Sequence, residues 1–202
     1  MATVIIQARL GSTRFPQKVI HKLPDGQRII DTVIDAAMWS NAENVALVTP
    51  DAELMSTITQ CPVYMKGGER DVLGEFWLAA KDYEDDIIRL TADCPLITPE
   101  IIDGVLNEYI WQEVDYICNT HDDNPVNDGY DVEVFSFEAL KEAYEKATDP
   151  YDREHVTPYI RRNFRCGFCE MPKMEGCSVN TYSDYLEVCR LLEKKNGGAS
   201  IR

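Results

Sequence analysis

A mostly parallel α/β sheet with helical crossovers on both faces is predicted for this chain by three observations. Apolar, strand-like runs alternate with helically spaced segments along the sequence. The first run passes straight into a glycine-containing cationic loop. The 202 residues, 45% apolar and 27% charged, suit one globular domain over 1–202.

The opening strand is Thr3-Val4-Ile5-Ile6-Gln7-Ala8. Asp25-Gly26 marks a turn, after which Ile29, Ile30, Val33, Ile34, Ala37 and Met38 recur at helical spacing within 28–39. A second strand reads at 45–48, a short helix opens at Asp51, a third strand lies at 63–65 and a helix at 72–83. The fourth strand is 86–91. Thr98-Pro99-Glu100 is a helix start, with Thr98 as cap and proline at the first helical position, and 101–111 continues it. Further strands are expected at 114–118, 132–135 and 164–168, with helices at 137–146 and 153–162.

Arg9, Arg14 and Lys18 gather with Gly11 and Ser12 where the first strand ends. Turn amides supply donors, arginine presents a planar fork to phosphate oxygens, lysine a mobile point charge and Ser12 a hydroxyl. Such a loop suits a nucleoside triphosphate. Its spacing is neither the Gly-x4-Gly-Lys-Ser/Thr phosphate loop nor the Gly-x-Gly-x-x-Gly dinucleotide turn. The competing reading is a solvated basic loop, but ligands bind α/β sheets at the carboxyl ends of strands, where this loop stands.

The rest of the chain is acidic: 35 Asp and Glu against 20 Lys and Arg give a formal charge of −15. Nucleic acid and anionic membrane are therefore poor partners, since both require a basic face. No basic-then-apolar segment opens the sequence, and no apolar run approaches the roughly twenty residues that cross a bilayer. A cytoplasmic protein is expected, and seven cysteines, an odd number, fit reduced thiols. Cys166 and Cys169 form a CxxC that, with Cys177 and His155, could make a zinc site or a redox pair. The alternation of Phe164, Cys166 and Phe168 reads instead as one face of a strand, with cysteine as a small hydrophobe.

Asp93 follows the fourth strand, at the sheet edge that carries the phosphate loop. A carboxylate there suits Mg²⁺, a hard cation that shares its shell with substrate phosphates. The alternative, a helix cap, is already filled by Thr98.

Five blocks in order now carry a family resemblance: Arg9-x-Gly-Ser-x-Arg-x-Pro-x-Lys18, Gly67-Gly68-Glu69-Arg70-Asp71-Val72-Leu73, Ile88-Arg89-Leu90-Thr91-Ala92-Asp93-Cys94-Pro95-Leu96-Ile97, Asp128-Gly129-Tyr130-Asp131-Val132-Glu133-Val134-Phe135 and Arg153-Glu154-His155-Val156-Thr157-Pro158-Tyr159-Ile160-Arg161. Together they resemble the spore coat polysaccharide F-type cytidylyltransferases, relatives of the synthetases that activate acylneuraminate and 3-deoxy-manno-octulosonate. The resemblance implies a three-layer α/β/α Rossmann-like nucleotidyltransferase fold and the reaction of CTP with a sugar acid to give a CMP-sugar for surface glycan and pyrophosphate. It implies nucleotide contacts from Ala8, Arg9, Gly11, Ser12, Arg14, Lys18, Gly67, Arg70 and Asp71, catalytic roles for Arg14, Lys18 and Asp93, and Mg²⁺ on Asp93. Relatives often form homodimers.

On the acceptor side, Asp131 and Glu133 are two apart on an expected strand, hence on one face, where a carboxylate pair could bind hydroxyls, assist a base or approach the metal. A solvent-facing edge strand is the alternative. Arg153, Glu154 and His155 are substrate candidates or an exposed first helical turn, and His155 is a general-base candidate or a structural hydrogen-bonding group.

Two positions depart from the family pattern. Gln17 stands where relatives carry glycine, which implies a different loop geometry there. Asn180 stands where they carry a metal-ligating aspartate; its amide oxygen can still coordinate Mg²⁺, with one negative charge fewer unless Asp131, Glu133 or Asp184 compensates. Asp184 reads as a cap of the last helix. Two other functions stay open: a nucleotidyltransferase of this fold acting on a phosphonate or polyol phosphate, and a non-catalytic nucleotide-binding subunit.

Overall fold

The computed structural model describes residues 1–65, 71–120 and 128–198. Seven strands form one sheet: β1 Ala2–Gln7, β2 Asn44–Val48, β3 Val63–Tyr64, β4 Asp86–Thr91, β5 Tyr116–Cys118, β6 Glu133–Phe135 and β7 Cys166–Phe168. Their order is β3-β2-β1-β4-β6-β5-β7. All neighbours run parallel except β6, which is antiparallel to both β4 and β5.

Alternation along the strands sorts the core into two layers. Val4, Ile6, Ile88 and Leu90 point to one face and pack with α1 Ile29–Met38, α2 Ala52–Thr57, α4 Pro99–Gln112 and α8 Tyr182–Gly198. Ile5, Val48, Ile87 and Phe135 point to the other, under α3 Val72–Ala80, α5 Phe137–Lys146 and α7 Pro158–Asn163. These side chains are almost wholly buried, each worth about 1.5–3 kcal/mol of transfer free energy. The three-layer arrangement matches the expected fold.

Several local expectations are corrected. The helix read over 153–162 is two short helices, α6 Pro150–His155 and α7, because Val156 turns to φ 69°, ψ −58° and Thr157 N–H bonds back to the His155 carbonyl at 2.8 Å. Pro158, which cannot continue a helix from α6, instead begins α7. β6 lies inside the sheet, so the edge-strand reading of Glu133 fails. Gln17 takes the left-handed conformation (φ 56°) that glycine adopts most readily. Thr98 sits at the N-cap of α4 but makes no side-chain capping bond. Asp184 shares a reciprocal cap with Thr181 at the start of α8: Thr181 N–H donates to Asp184 Oδ2 at 2.7 Å, and Asp184 N–H to Thr181 Oγ1 at 3.3 Å. Cys166 is exposed whereas Cys169 is buried, and among the described residues no three His, Cys, Asp or Glu side chains gather as a metal site. No helix among the described residues is long and apolar enough to cross a membrane.

Candidate active site

Parallel pairing sets the site. Gln7 at the end of β1 is in register with Thr91 at the end of β4, and Ala92 N–H donates to the Gln7 carbonyl at 2.9 Å, so the loops at 8–18 and 92–97 leave the sheet side by side. The first loop is pinned at several points. Leu10 N–H donates to Asp51 Oδ2 at 2.7 Å, Gln17 N–H returns to the Leu10 carbonyl at 3.1 Å, and Phe15 is buried against His21, Tyr182 and Tyr185. Asp51 thus holds the loop through its side chain while starting α2.

Around the loop opens a cleft of about 420 Å³. Ala8, Arg9, Gly11, Ser12, Arg14 and Lys18, all expected to meet the nucleotide, line it together with Asp93 and Asn180. Lys18 Nζ lies 2.6 Å from Asp93 Oδ2 and 3.1 Å from Asn180 Oδ1, and Arg14 also donates to Asn180 Oδ1 at 3.1 Å. Asp93 and Asn180 therefore present their oxygens to one point, where a cationic group already rests. Two hard oxygen donors around a cation fit Mg²⁺, so this residue pair suits the metal despite the neutral amide. Gly67 and Arg70 lie outside the described residues.

Asp71 is placed beside this cleft, in a neighbouring hollow with Arg9, Asp51 and Glu154. Its carboxylate caps α3 by accepting from Gly74 N–H at 3.1 Å, and it pairs with Arg153 at 2.6 Å. Arg153 also donates to the Tyr144 carbonyl and lies over the Tyr144 ring, so it clamps α6 to α3 and α5, and it is not among the residues that line the second cleft, on the acceptor side.

That second cleft, of about 370 Å³, adjoins the first and shares Arg89 and Thr91 with it. Asp128, Asp131, Glu133, His155 and Arg161 line the remainder. Asp131 Oδ2 accepts from Gly129 N–H at 3.0 Å, and burial pushes its carboxyl above the ordinary aspartate range, against the opposing pull of that bond. Glu133 behaves oppositely. Burial would raise it, but the charge of Arg89 and hydrogen bonds from Tyr116 (2.6 Å) and Thr157 (2.8 Å) hold it below the glutamate range. Arg89 completes the group, donating to Glu133 and, at 3.0 Å, to Gln7 Oε1. Glu133 thus engages Arg89, Tyr116 and Thr157 while lining the cleft. His155 is exposed at the rim, its ring 4.4 Å from that of Tyr151.

Cys94 is buried between Thr91 and Asp131, and burial followed by the charges of Asp93 and Asp131 keeps it a thiol. Arg89 and Arg161 also line the clefts; both stand in the sequence blocks that carry the family resemblance, with no role assigned to them there. A charged residue inside an apolar strand, Ile87-Ile88-Arg89-Leu90, was the available signal for Arg89.

The family model described as Cytidylyltransferase matches residues 3–174. An uncharacterized protein of Methanocaldococcus jannaschii is 34% identical over 196 residues, covering 90% of this chain and 79% of that protein. The spore coat polysaccharide biosynthesis protein SpsF of Bacillus subtilis is 29% identical over 218 residues, covering 94% of this chain and 85% of SpsF. Among solved structures, CMP:2-keto-3-deoxy-manno-octonic acid synthetase complexed with CTP superimposes with a TM-score of 0.75 at 16% identity, over 96% of this chain and 99% of that one.

Proposed function

Because this chain belongs to the cytidylyltransferase family, we propose that it transfers the cytidylyl group of CTP to a hydroxyl of a sugar acid, with release of pyrophosphate. The observation that carries this reading is the pair of adjoining clefts at one sheet edge, the first lined by the cationic loop with Asp93 and Asn180, the second by Arg89, Arg161 and Asp131. The names of the synthetase and of SpsF support a sugar acid as acceptor and a surface polysaccharide as destination.

In this reading Arg9, Ser12 and the loop amides bind the triphosphate, while Arg14 and Lys18 neutralise charge on the departing pyrophosphate. Asp93 and Asn180 would hold Mg²⁺, which when bound supplies further charge neutralisation at the phosphates. The acceptor hydroxyl attacks the α-phosphorus in line, the bond to pyrophosphate breaks, and Asp131 takes the hydroxyl proton. Its raised affinity for protons makes it a stronger base than an ordinary aspartate. Arg89, at the seam of the clefts, and Arg161 face the acceptor's acidic group.

Thermal shift against CTP, UTP, ATP and GTP, with and without Mg²⁺, tests the first half, because stabilisation follows occupancy. A CTP-selective, Mg²⁺-dependent rise is expected; no shift with any nucleotide would sink the proposal. Pyrophosphate release with sugar acids, phosphonates and polyol phosphates then identifies the acceptor. Release with phosphonates or polyol phosphates alone would overturn the sugar-acid assignment.

A further inference from the structure

Lys18 occupies the place where the family reading puts a divalent cation. Its side chain is only 10% exposed, and its ammonium rests on Asp93 Oδ2 at 2.6 Å and Asn180 Oδ1 at 3.1 Å. We propose that Lys18 is the resident counter-cation of this site, that Asn180 keeps the site at a single negative charge, and that a divalent cation therefore enters only together with the nucleoside triphosphate. This rests on the reading of Asp93 and Asn180 as metal ligands.

Charge is the first argument. One ammonium balances one carboxylate, so the nucleotide-free pair is neutral and offers a bare divalent ion little attraction. Arg14, on the same amide oxygen, adds a further positive charge, which an aspartate at 180 would cancel, so that Asn180→Asp would lessen the repulsion the site offers the ion. The second argument is saturation, since Asn180 Oδ1 accepts from both Lys18 and Arg14, each at 3.1 Å, and both of its lone pairs are in use. A cation arriving alone would have to displace both cationic donors without bringing an anion for them to move to. A triphosphate on the same loop provides that anion: Arg14 and Lys18 move onto phosphate oxygens and expose the two ligand oxygens. Mg²⁺ commonly binds through one or two carboxylates together with substrate phosphates, which suits this exchange.

The third argument is that the amide at 180 is built in. Asn180 Nδ2 donates to Ser178 Oγ at 2.8 Å, and Ser178 Oγ donates to Asp128 Oδ1 at 2.8 Å. An aspartate has no hydrogen for Ser178. The nitrogen side of Asn180 thus fixes the direction of its oxygen, and the residue is an adapted part of the site instead of a decayed carboxylate. Asp128 lines the acceptor-side cleft, so the same chain of bonds ties that cleft to the cation position.

The test uses Mn²⁺ as an electron paramagnetic resonance probe, titrated into the full chain without nucleotide and then with CTP. The wild type should leave Mn²⁺ free when alone and take it up once CTP is present. Lys18→Met and Asn180→Asp should each bind Mn²⁺ without nucleotide at least tenfold more tightly than the wild type. Lys18→Gln replaces Lys18→Met if the latter does not melt cooperatively. Wild-type binding of Mn²⁺ alone as tight as in the variants overturns the proposal, as does the absence of any gain in folded variants. Failure of the nucleotide reading registers separately, as the lack of a CTP thermal shift in the wild type.

Discussion

Asp131 and Glu133 stand two residues apart on one cleft, yet their surroundings drive them in opposite directions. Glu133, held ionised by Arg89, contributes stability that is present above the ordinary glutamate value near 4.3 and is lost as pH falls through its depressed folded value. Glu133→Gln leaves Arg89 buried without its counter-charge. We expect a loss of about 3–5 kcal/mol, read by denaturant unfolding. Asp131 carries the other sign. Its raised folded value means that the native state binds more protons than the unfolded chain, so stability is greatest below the ordinary aspartate value near 3.9 and declines as pH rises through the folded value. Asp131→Asn should raise the melting temperature at pH 7, a gain that vanishes near pH 4, while slowing turnover by about 10²–10⁴-fold if this carboxylate takes the proton.

Backbone conformation decides the outcome at the scale of elements. Gly129 sits at φ 90°, and a Cβ there would meet the Cys177 carbonyl carbon at 2.3 Å. Gly129→Ala should therefore destabilise by at least about 2 kcal/mol in chemical denaturation, through strain and overpacking together. Gln17→Gly relieves a left-handed residue worth about 1–2 kcal/mol at the cost of about 0.5–1 kcal/mol in glycine entropy. A rise of about 1–2 °C in melting temperature should follow. These elements also mark where sequence reading stops. The phosphate loop and Asp93 were legible because their chemistry sits in short motifs at predictable strand ends, whereas Asn180, in the segment before α8, was legible only through the family resemblance. The antiparallel sense of β6 was not, since a period of two carries no direction. Arg89 and Arg161 reach one cleft only through the β4–β6 register and the docking of α7, both long-range facts. The break at Val156 did leave a trace in Pro158, which suits the first position of a helix and not its interior. The partners of Arg153 lie on α3 and α5, which no local pattern reports.

Over the whole molecule, a formal charge of −15 surrounds a loop that gathers Arg9, Arg14 and Lys18. Self-repulsion of the acidic surface opposes compactness and is screened by salt. The melting temperature of the ligand-free protein should accordingly rise between about 10 and 150 mM NaCl in a calorimetric series, where the Debye length falls from roughly 30 to 8 Å. The layout of the sheet has a further consequence. Apart from Arg89 and Thr91, every residue lining the acceptor-side cleft lies between 116 and 161, whereas the triphosphate-side cleft draws on β1, its loop, the end of β4, Glu154 and Asn180. The proposed division of two reagents in space is thus echoed along the chain, with Glu154 and the Asp128–Ser178–Asn180 bonds as the joints between the halves, and a crossover between related genes that exchanged the interior segment would transplant a taste for one acceptor only where Asp128 and Glu154 are kept.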